Sequence, residues 1–142
     1  MDEVNSIGSA IQKGNTKPVY FLMGEEPYFI DQIADYIEAS VLQEDEKGFN
    51  QMVLYGRDVS VDEIVGNAKR FPMMSNYQVI IVREAQHLKE SEKLVEYIEN
   101  PLKSTILVIA YKHKSIDKRT KLYKAIKDKG IVFDAQKLWE NQ

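Results

Sequence analysis

Five short runs of consecutive apolar residues, separated by longer segments of helical period, constrain the fold of this 142-residue chain more than any other feature. Residues that are apolar in succession, not at alternate positions, are typical of strands buried on both faces. Such burial occurs in parallel sheets that helices cover on each side. The predicted strands are Val19–Met23, Gln51–Tyr55, Val79–Val82, Thr105–Ala110 and Ile131–Phe133.

The segments around these strands repeat apolar residues at three- and four-residue spacing, as amphipathic helices do. Ser60 and Glu63 have the spacing of a capping box at the start of one of them. Strict alternation of strand and helix requires right-handed crossovers, so the sequence predicts an α/β fold, a three-layer doubly wound parallel sheet of about five strands. The predicted helices are Val4–Lys13, Tyr28–Leu42, Val61–Arg70, Ser91–Glu99 and Arg119–Lys129.

Length and composition limit what such a fold can carry. A chain of this length builds one core, so we expect a single domain over residues 1–142. Cysteine is absent, and His87 and His113 each lack a second ligand at metal-binding spacing, so we expect no metal and no cofactor. The acidic start of the chain and the lack of an 18-residue apolar run favour a cytoplasmic protein without membrane contact.

The turn after the first predicted strand is where a doubly wound sheet would bind a phosphate. In the pattern G-x-x-x-x-G-K-[ST], starting at Gly24, Phe29 replaces the second glycine and Ile30 replaces the lysine. Glu25 and Glu26 would also place negative charge at a helix N-terminus that an anion needs. We therefore predict a degenerate nucleotide loop, formed by Gly24, Glu25, Glu26 and Ile30, that binds no nucleotide.

The residues after the third predicted strand do not match a catalytic site either. A magnesium-dependent NTPase would carry acidic residues there, where this chain has Arg83 and then Glu84. A single glutamate beside an arginine favours an ion pair or a strand-end cap over a general base. The G-x-S-x-G and H-E-x-x-H motifs are absent from the chain. We therefore predict no catalytic residues.

Three large apolar side chains, Phe71, Met73 and Met74, lie in the connection before the third predicted strand, where polar turn residues are usual. Pro72 ends the preceding helix, because it disfavours helical geometry at Phe71. Either the side chains pack under the sheet edge as a local staple, or they bind a partner, as their clustering and the adaptable thioethers favour. A helix-to-strand connection lies at the amino ends of the strands, away from the degenerate turn.

Charge is sorted along the chain. Between Tyr111 and Lys129, eight basic residues oppose two acidic ones, so this segment carries +6 and the remainder −9 of the net charge of −3. A lysine-rich helix is usually a solvated face, and an anionic partner is the alternative. The candidate residues for a DNA-facing or subunit-facing surface are Lys118, Arg119 and Lys121.

Three segments, in this order and spacing, resemble the N-terminal domain of the delta subunit of bacterial DNA polymerase III. They read PVYFLMGEEPYFIDQ, RFPMMSNYQVIIVREAQHL and TILVIAYKHKSIDKRTKLYK, and the resemblance extends from Lys17 to Leu138. It implies a P-loop NTPase fold of the AAA+ type that has lost nucleotide binding. It also implies a fragment, since a full delta chain continues into a middle domain and a collar domain.

The resemblance implies a role in DNA replication, within the DNA polymerase III holoenzyme and without catalytic activity in this domain. Delta binds the beta sliding clamp through apolar residues before the third strand and opens the ring for loading onto primed DNA. Position by position, this role falls on Phe71, Met73 and Met74, with Met74 in place of the usual aromatic. The other implied partners are the gamma or tau and delta prime subunits, with DNA reached through the assembled complex. The alternatives are a P-loop-type nucleotide-binding protein and a DNA-binding module that uses the basic segment.

Overall fold

The structure is a computed structural model, and it describes residues 2–135. Its strands are β1 (Val19–Gly24), β2 (Gln51–Tyr55), β3 (Gln78–Arg83), β4 (Thr105–Lys112) and β5 (Ile131–Ala135). Its α-helices are α1 (Asp2–Gln12), α2 (Pro27–Ser40), α3 (Glu44–Asn50), α4 (Val61–Ala68), α5 (Val95–Glu99) and α6 (Lys121–Lys129), with 3-10 turns at Ala85–His87 and Ser91–Leu94. The ends of the predicted domain, Met1 and residues 136–142, lie outside the described residues.

The five strands form one parallel sheet in the order β2-β3-β4-β1-β5. Every residue of β1 is buried, because β4 and β5 flank it and helices cover both faces of the sheet. Tyr20 and Leu22 of β1 pack with α1 and α2, whereas Phe21 and Met23 pack with α4, α5 and α6. The predicted three-layer α/β sheet of five parallel strands is therefore confirmed.

The ends of α1, α2 and α4 differ from the prediction by one or two residues, and three further differences concern the other helices. Strict alternation is wrong, because α3 follows α2 before the chain enters β2. The segment Ser91–Glu99 divides into a 3-10 turn and the short helix α5. Helix α6 begins at Lys121, not Arg119, because the Thr120 side chain accepts a hydrogen bond from the Tyr123 N–H and caps the helix. None of the helices within residues 2–135 has the length and apolar character to cross a membrane.

Helix α3 has no apolar stripe from which it could be predicted. It is stabilised at its start, where the Gln43 N–H donates to Glu46 Oε1 at 2.9 Å and the Glu46 N–H donates to the Gln43 carbonyl at 3.0 Å. Three acidic residues also occupy its first turn, which is the positive end of the helix dipole. The capping box predicted for Ser60 and Glu63 is present at the start of α4.

Candidate protein-binding site

The loop between α4 and β3, Arg70–Asn76 and hereafter the apolar loop, presents its large side chains to solvent. Phe71 is 78% exposed, Met73 57% and Met74 97%. The alternative in which these side chains pack under the sheet edge as a local staple is therefore wrong. Exposed apolar groups clustered on one loop are typical of a surface that another protein covers.

A buried polar network fixes the start of the apolar loop. The Gln78 side-chain Nε2 lies within hydrogen-bond distance of the carbonyl oxygens of Asn67 (2.9 Å) and Arg70 (2.7 Å) and of Thr105 Oγ1 (2.9 Å). The Thr105 hydroxyl donates in turn to the Ala68 carbonyl at 2.7 Å. These contacts reach carbonyl groups in the last turn of α4 and just after it, where helical hydrogen bonding ends. They hold the chain where the loop leaves the helix.

The middle of the apolar loop is fixed by Asn50, the last residue of α3. Asn50 Oδ1 accepts from the Met73 N–H at 2.6 Å, and Asn50 Nδ2 donates to the Met73 carbonyl at 2.9 Å. The same Nδ2 donates to the Glu46 carbonyl at 3.0 Å, which ties the amide to α3. Met74 follows with a φ of 55°, in the left-handed region. The backbone of Met73 is therefore held from inside the protein while the neighbouring side chains project outward.

A fourth exposed apolar side chain belongs to the same end of the molecule. Phe49 is 76% exposed and precedes Asn50, whose side chain contacts the loop. Neither residue was predicted to take part in the site, because α3 itself was not predicted. Phe49 and Asn50 could have been found only through a signal for α3, and that signal is limited to its capping residues.

The turn after β1 uses its backbone donors within the protein. The Gly24 N–H donates to the Lys114 carbonyl at 3.0 Å, and the Glu26 N–H donates to the Ala135 carbonyl at 3.3 Å. The Tyr28 N–H donates to Glu26 Oε1 at 3.2 Å, and the proline between these two residues has no N–H. A phosphate cradle needs N–H groups that point at the ligand. These three donors are already bonded inside the fold.

The other members of the predicted degenerate loop lie in the core, at the helix cap and at the surface. Ile30 lies in the first turn of α2 and is fully buried in the core, at the position where a phosphate-binding loop carries its lysine. Glu26 caps α2 through its side chain, whereas Glu25 is exposed. The turn therefore starts a helix and completes the core.

Arg83, at the end of β3, is bound by the acidic face of α2. Its guanidinium Nη2 lies 2.7 Å from both Asp35 Oδ1 and Glu38 Oε1, and its Nη1 lies 3.6 Å from Asp31 Oδ1. Burial acts to lower the pKa of Arg83, but the hydrogen bonds to Glu38 and Asp35 outweigh it and raise the pKa. A fixed cation therefore stands at the strand end where an NTPase of this fold would carry an acid.

Lys112, at the end of β4, completes this ion-pair network. Its Nζ lies 2.9 Å from Glu84 Oε2 and 3.0 Å from Asp31 Oδ1. Burial acts to lower the pKa of Lys112, but its hydrogen bonds to Glu84 and Asp31 raise it overall. The interpretation of Glu84 as an ion-paired residue is confirmed, with Lys112 as its partner in place of the adjacent Arg83.

The Glu84–Lys112 pair makes stability depend on acid pH. Hydrogen bonding to Lys112 lowers the pKa of Glu84 below its value of about 4.3 in an unfolded chain. The pair therefore stabilises the fold fully above the unfolded value, and the contribution is lost as the pH falls through the lowered folded value. Because the Glu84 side chain is 37% exposed, we expect the pair to contribute less than about 1 kcal/mol to the free energy of unfolding.

Urea unfolding of the wild type and of Glu84→Gln at pH 7 and pH 3 measures this contribution. The wild type should be the more stable at pH 7, and the difference should narrow at pH 3. An equal difference at both pH values would contradict the assignment of the effect to the carboxylate charge.

The basic segment is exposed but partly neutralised. Lys118, Arg119 and Lys121 all lie at the surface. Arg119 pairs with Asp117, with Nη2 at 2.7 Å and Nε at 3.1 Å from the carboxylate oxygens. Lys112 is engaged in the ion-pair network. At least two of the eight cations thus pair with carboxylates of the chain itself.

Comparisons with known proteins relate the chain to one family over most of its length. A family model described as DNA polymerase III, delta subunit, matches residues 20–136. The Bacillus subtilis DNA polymerase III subunit delta is 29% identical over 145 residues, covering 95% of this chain and 42% of that protein. The solved structure of the Bacillus subtilis DNA clamp loader delta protein matches with a TM-score of 0.82 at 27% identity, covering 95% of this chain and 43% of its own. This chain therefore spans less than half the length of both relatives.

More distant structures share the fold alone. A DNA polymerase III gamma subunit-related protein from Thermotoga maritima matches with a TM-score of 0.55 at 15% identity, covering 99% of this chain and 48% of that one. The Thermotoga maritima RuvB Holliday junction branch migration motor matches with a TM-score of 0.54 at 14% identity, covering 95% and 45%. The predicted P-loop NTPase fold of the AAA+ type agrees with these matches.

Proposed function

Because the chain belongs to the DNA polymerase III delta subunit family, we propose that it is the clamp-binding domain of a clamp-loader subunit in DNA replication. It binds the beta sliding clamp through Phe71, Met73 and Met74 and favours the open ring, which can then be loaded onto primed DNA. The observation that carries this proposal is the exposure of the three side chains on a loop whose backbone is held by buried polar groups.

The energy for clamp opening would come from burial of apolar surface. Placing a large apolar side chain in a pocket contributes roughly 1.5 to 3 kcal/mol, before the costs of association and ordering. A ring under tension opens if the loop binds the open form more tightly than the closed form, and it opens only to the extent of that difference. This step needs no ATP bound to the delta domain.

The turn after β1 bears on which subunits of the clamp loader bind ATP. Its bonded donors and the buried Ile30 support a domain that does not bind nucleotide, so ATP would act through the gamma or tau subunits. Residues 1–142 would be one domain of a longer subunit, which meets those partners and delta prime through its middle and collar domains. Such a complex works on replicating DNA in the cytoplasm.

Titration of the chain into the purified beta clamp of the same organism, followed by calorimetry, tests the proposal directly. Saturable binding with one chain per clamp protomer supports it. A titration without saturable heat, made with both proteins shown to be folded, contradicts it.

The alternative function is that of a nucleotide-binding protein, and we expect ATP with magnesium to give no saturable binding. The physical reason is that the Gly24, Glu26 and Tyr28 N–H groups already have acceptors, and Arg83 replaces an acid at the end of β3. Isothermal titration of the same sample measures the heat of binding. Clamp binding by that sample serves as the control for activity, and saturable ATP binding would overturn the assignment of a degenerate loop.

A further inference from the structure

We infer that Asn50 is a positioning residue for clamp binding, which holds the apolar loop in its binding conformation before the clamp arrives. The inference rests on the proposed function. It adds to the site a residue that contacts no clamp atom and acts through Met73. The carrying observation is a single buried amide that bonds both backbone groups of a residue in the middle of an exposed loop.

The Asn50 amide pairs with Met73 as a neighbouring strand would, since it accepts from the N–H and donates to the carbonyl of one residue. Asn50 is only 4% exposed, so its side of these bonds is shielded from water, and hydrogen bonds in such surroundings are stronger than in water. Its second amide hydrogen reaches the Glu46 carbonyl. The amide is therefore fixed at the end of α3 and at the loop together.

Helix α3 is itself anchored, which makes it a rigid support for Asn50. Lys47 Nζ donates to the Ala39 carbonyl at 3.1 Å, so the last turn of α2 holds the middle of α3. Gln51, directly after Asn50, is the first residue of β2, and its backbone is paired with Val79 of β3. Helix α3 is short and polar, and we attribute its presence between α2 and β2 to its role in holding Asn50 against the apolar loop.

The conformation of Met74 shows what this support maintains. A residue other than glycine rarely adopts a φ of 55°, and such a backbone conformation persists only where the surroundings impose it. Asn50 fixes the residue immediately before it. Without that contact Met74 is free to leave the left-handed region, and the clamp would then have to order the loop when it binds. Ordering of this kind reduces affinity without removing any contact with the partner.

Asn50→Ala should therefore weaken clamp binding about 10-fold, although Phe71, Met73 and Met74 are all present. The matched control is Gln51→Ala, which removes a hydrogen bond from the same junction but makes none to the loop. Both variants should lose stability in urea, and only Asn50→Ala should lose affinity in calorimetry. Equal affinities of the two variants would overturn the inference.

A double-mutant cycle separates the inference from the proposed function. If Asn50 acts by placing Met74, Asn50→Ala should change the affinity much less when Met74→Ala is already present. A full 10-fold effect in that background would show that Asn50 acts by another route. If replacing the methionines themselves leaves the affinity unchanged, the proposed function fails. If only the Asn50 effect is missing, the inference fails alone.

Amide hydrogen exchange tests the same point without any clamp. In the wild type the Met73 N–H should be protected although the loop around it is exposed, because Asn50 Oδ1 accepts its hydrogen. In Asn50→Ala this protection should fall by about 10-fold or more, while Gln51→Ala should keep it. Exchange of the wild-type Met73 N–H at the rate of an unprotected amide would contradict the inference directly.

Discussion

Replacing Met73 and Met74 together by alanine should weaken binding to the beta clamp by about 100-fold. Each thioether would bury most of its surface in a clamp pocket, so the two truncations together remove roughly 3 kcal/mol after allowance for non-additivity. The free chain should lose little stability, because both side chains are already exposed. Calorimetric titration of the clamp gives the affinity, and urea unfolding gives the stability.

An apolar residue at the opposite end of the sheet supplies the control for this experiment. Tyr55 ends β2, is 48% exposed and lies away from the apolar loop, so Tyr55→Ala should leave the affinity unchanged. Single replacements of Phe71, Met73 and Met74 then rank the three positions. If the double variant binds as tightly as Tyr55→Ala does, these methionines are not the binding residues.

The sheet could be predicted because its strands carry their own signal. Each run of consecutive apolar residues became a strand, and the predicted bounds were wrong mainly at the carboxyl ends. There Gly24, Arg83 and Lys112 continue the strands beyond the predicted residues. Helix α3 could not be predicted in this way, because it depends on its capping residues and on contacts with α2 and not on an apolar stripe.

The sequence predicted which apolar residues form the site, but it did not predict the polar residues that hold the loop in place. Phe71, Met73 and Met74 stand out as apolar residues in a connection, but the sequence left a buried staple and an exposed surface equally open. Asn50 and Gln78 act through partners 23 and 27 residues away along the chain, and no local pattern carries such a pairing. The supporting role of a single polar residue beside an apolar run can be recognised only when the fold shows which distant residues it contacts.

Gly24 shows how one residue can satisfy a motif for an unrelated reason. It was singled out as the first glycine of a phosphate-binding pattern, yet the structure gives it two other constraints. Its φ is +125°, a conformation that other residues rarely adopt. A Cβ at this position would lie 2.1 Å from the Ala135 carbonyl oxygen and 2.5 Å from the Ala135 nitrogen, both backbone atoms of β5. The close pairing of β1 with β5 therefore requires glycine.

Gly24→Ala should destabilise the fold by about 4 kcal/mol, as the sum of roughly 1–3 kcal/mol of backbone strain and 1–3 kcal/mol of overpacking. Gly14→Ala is the control for strain, because Gly14 has a φ of +85° but no atom within 4 Å of an added Cβ. Gly48→Ala is the control for the substitution itself, since this helical glycine has open space, and it should raise stability by about 0.5–1 kcal/mol.

Urea unfolding of the three variants separates the clash from the strain. Gly14→Ala should lose about 1 kcal/mol, so the further loss in Gly24→Ala measures the contact with β5 alone. If Gly24→Ala is unfolded at 25 °C, the loss of stability exceeds the expected value and supports the same conclusion. Equal losses at Gly24 and Gly14 would mean that β5 can move away from the added methyl group. The steric requirement would then fail, and the glycine at the end of β1 would need another explanation, of which a ligand at this turn is the first to test.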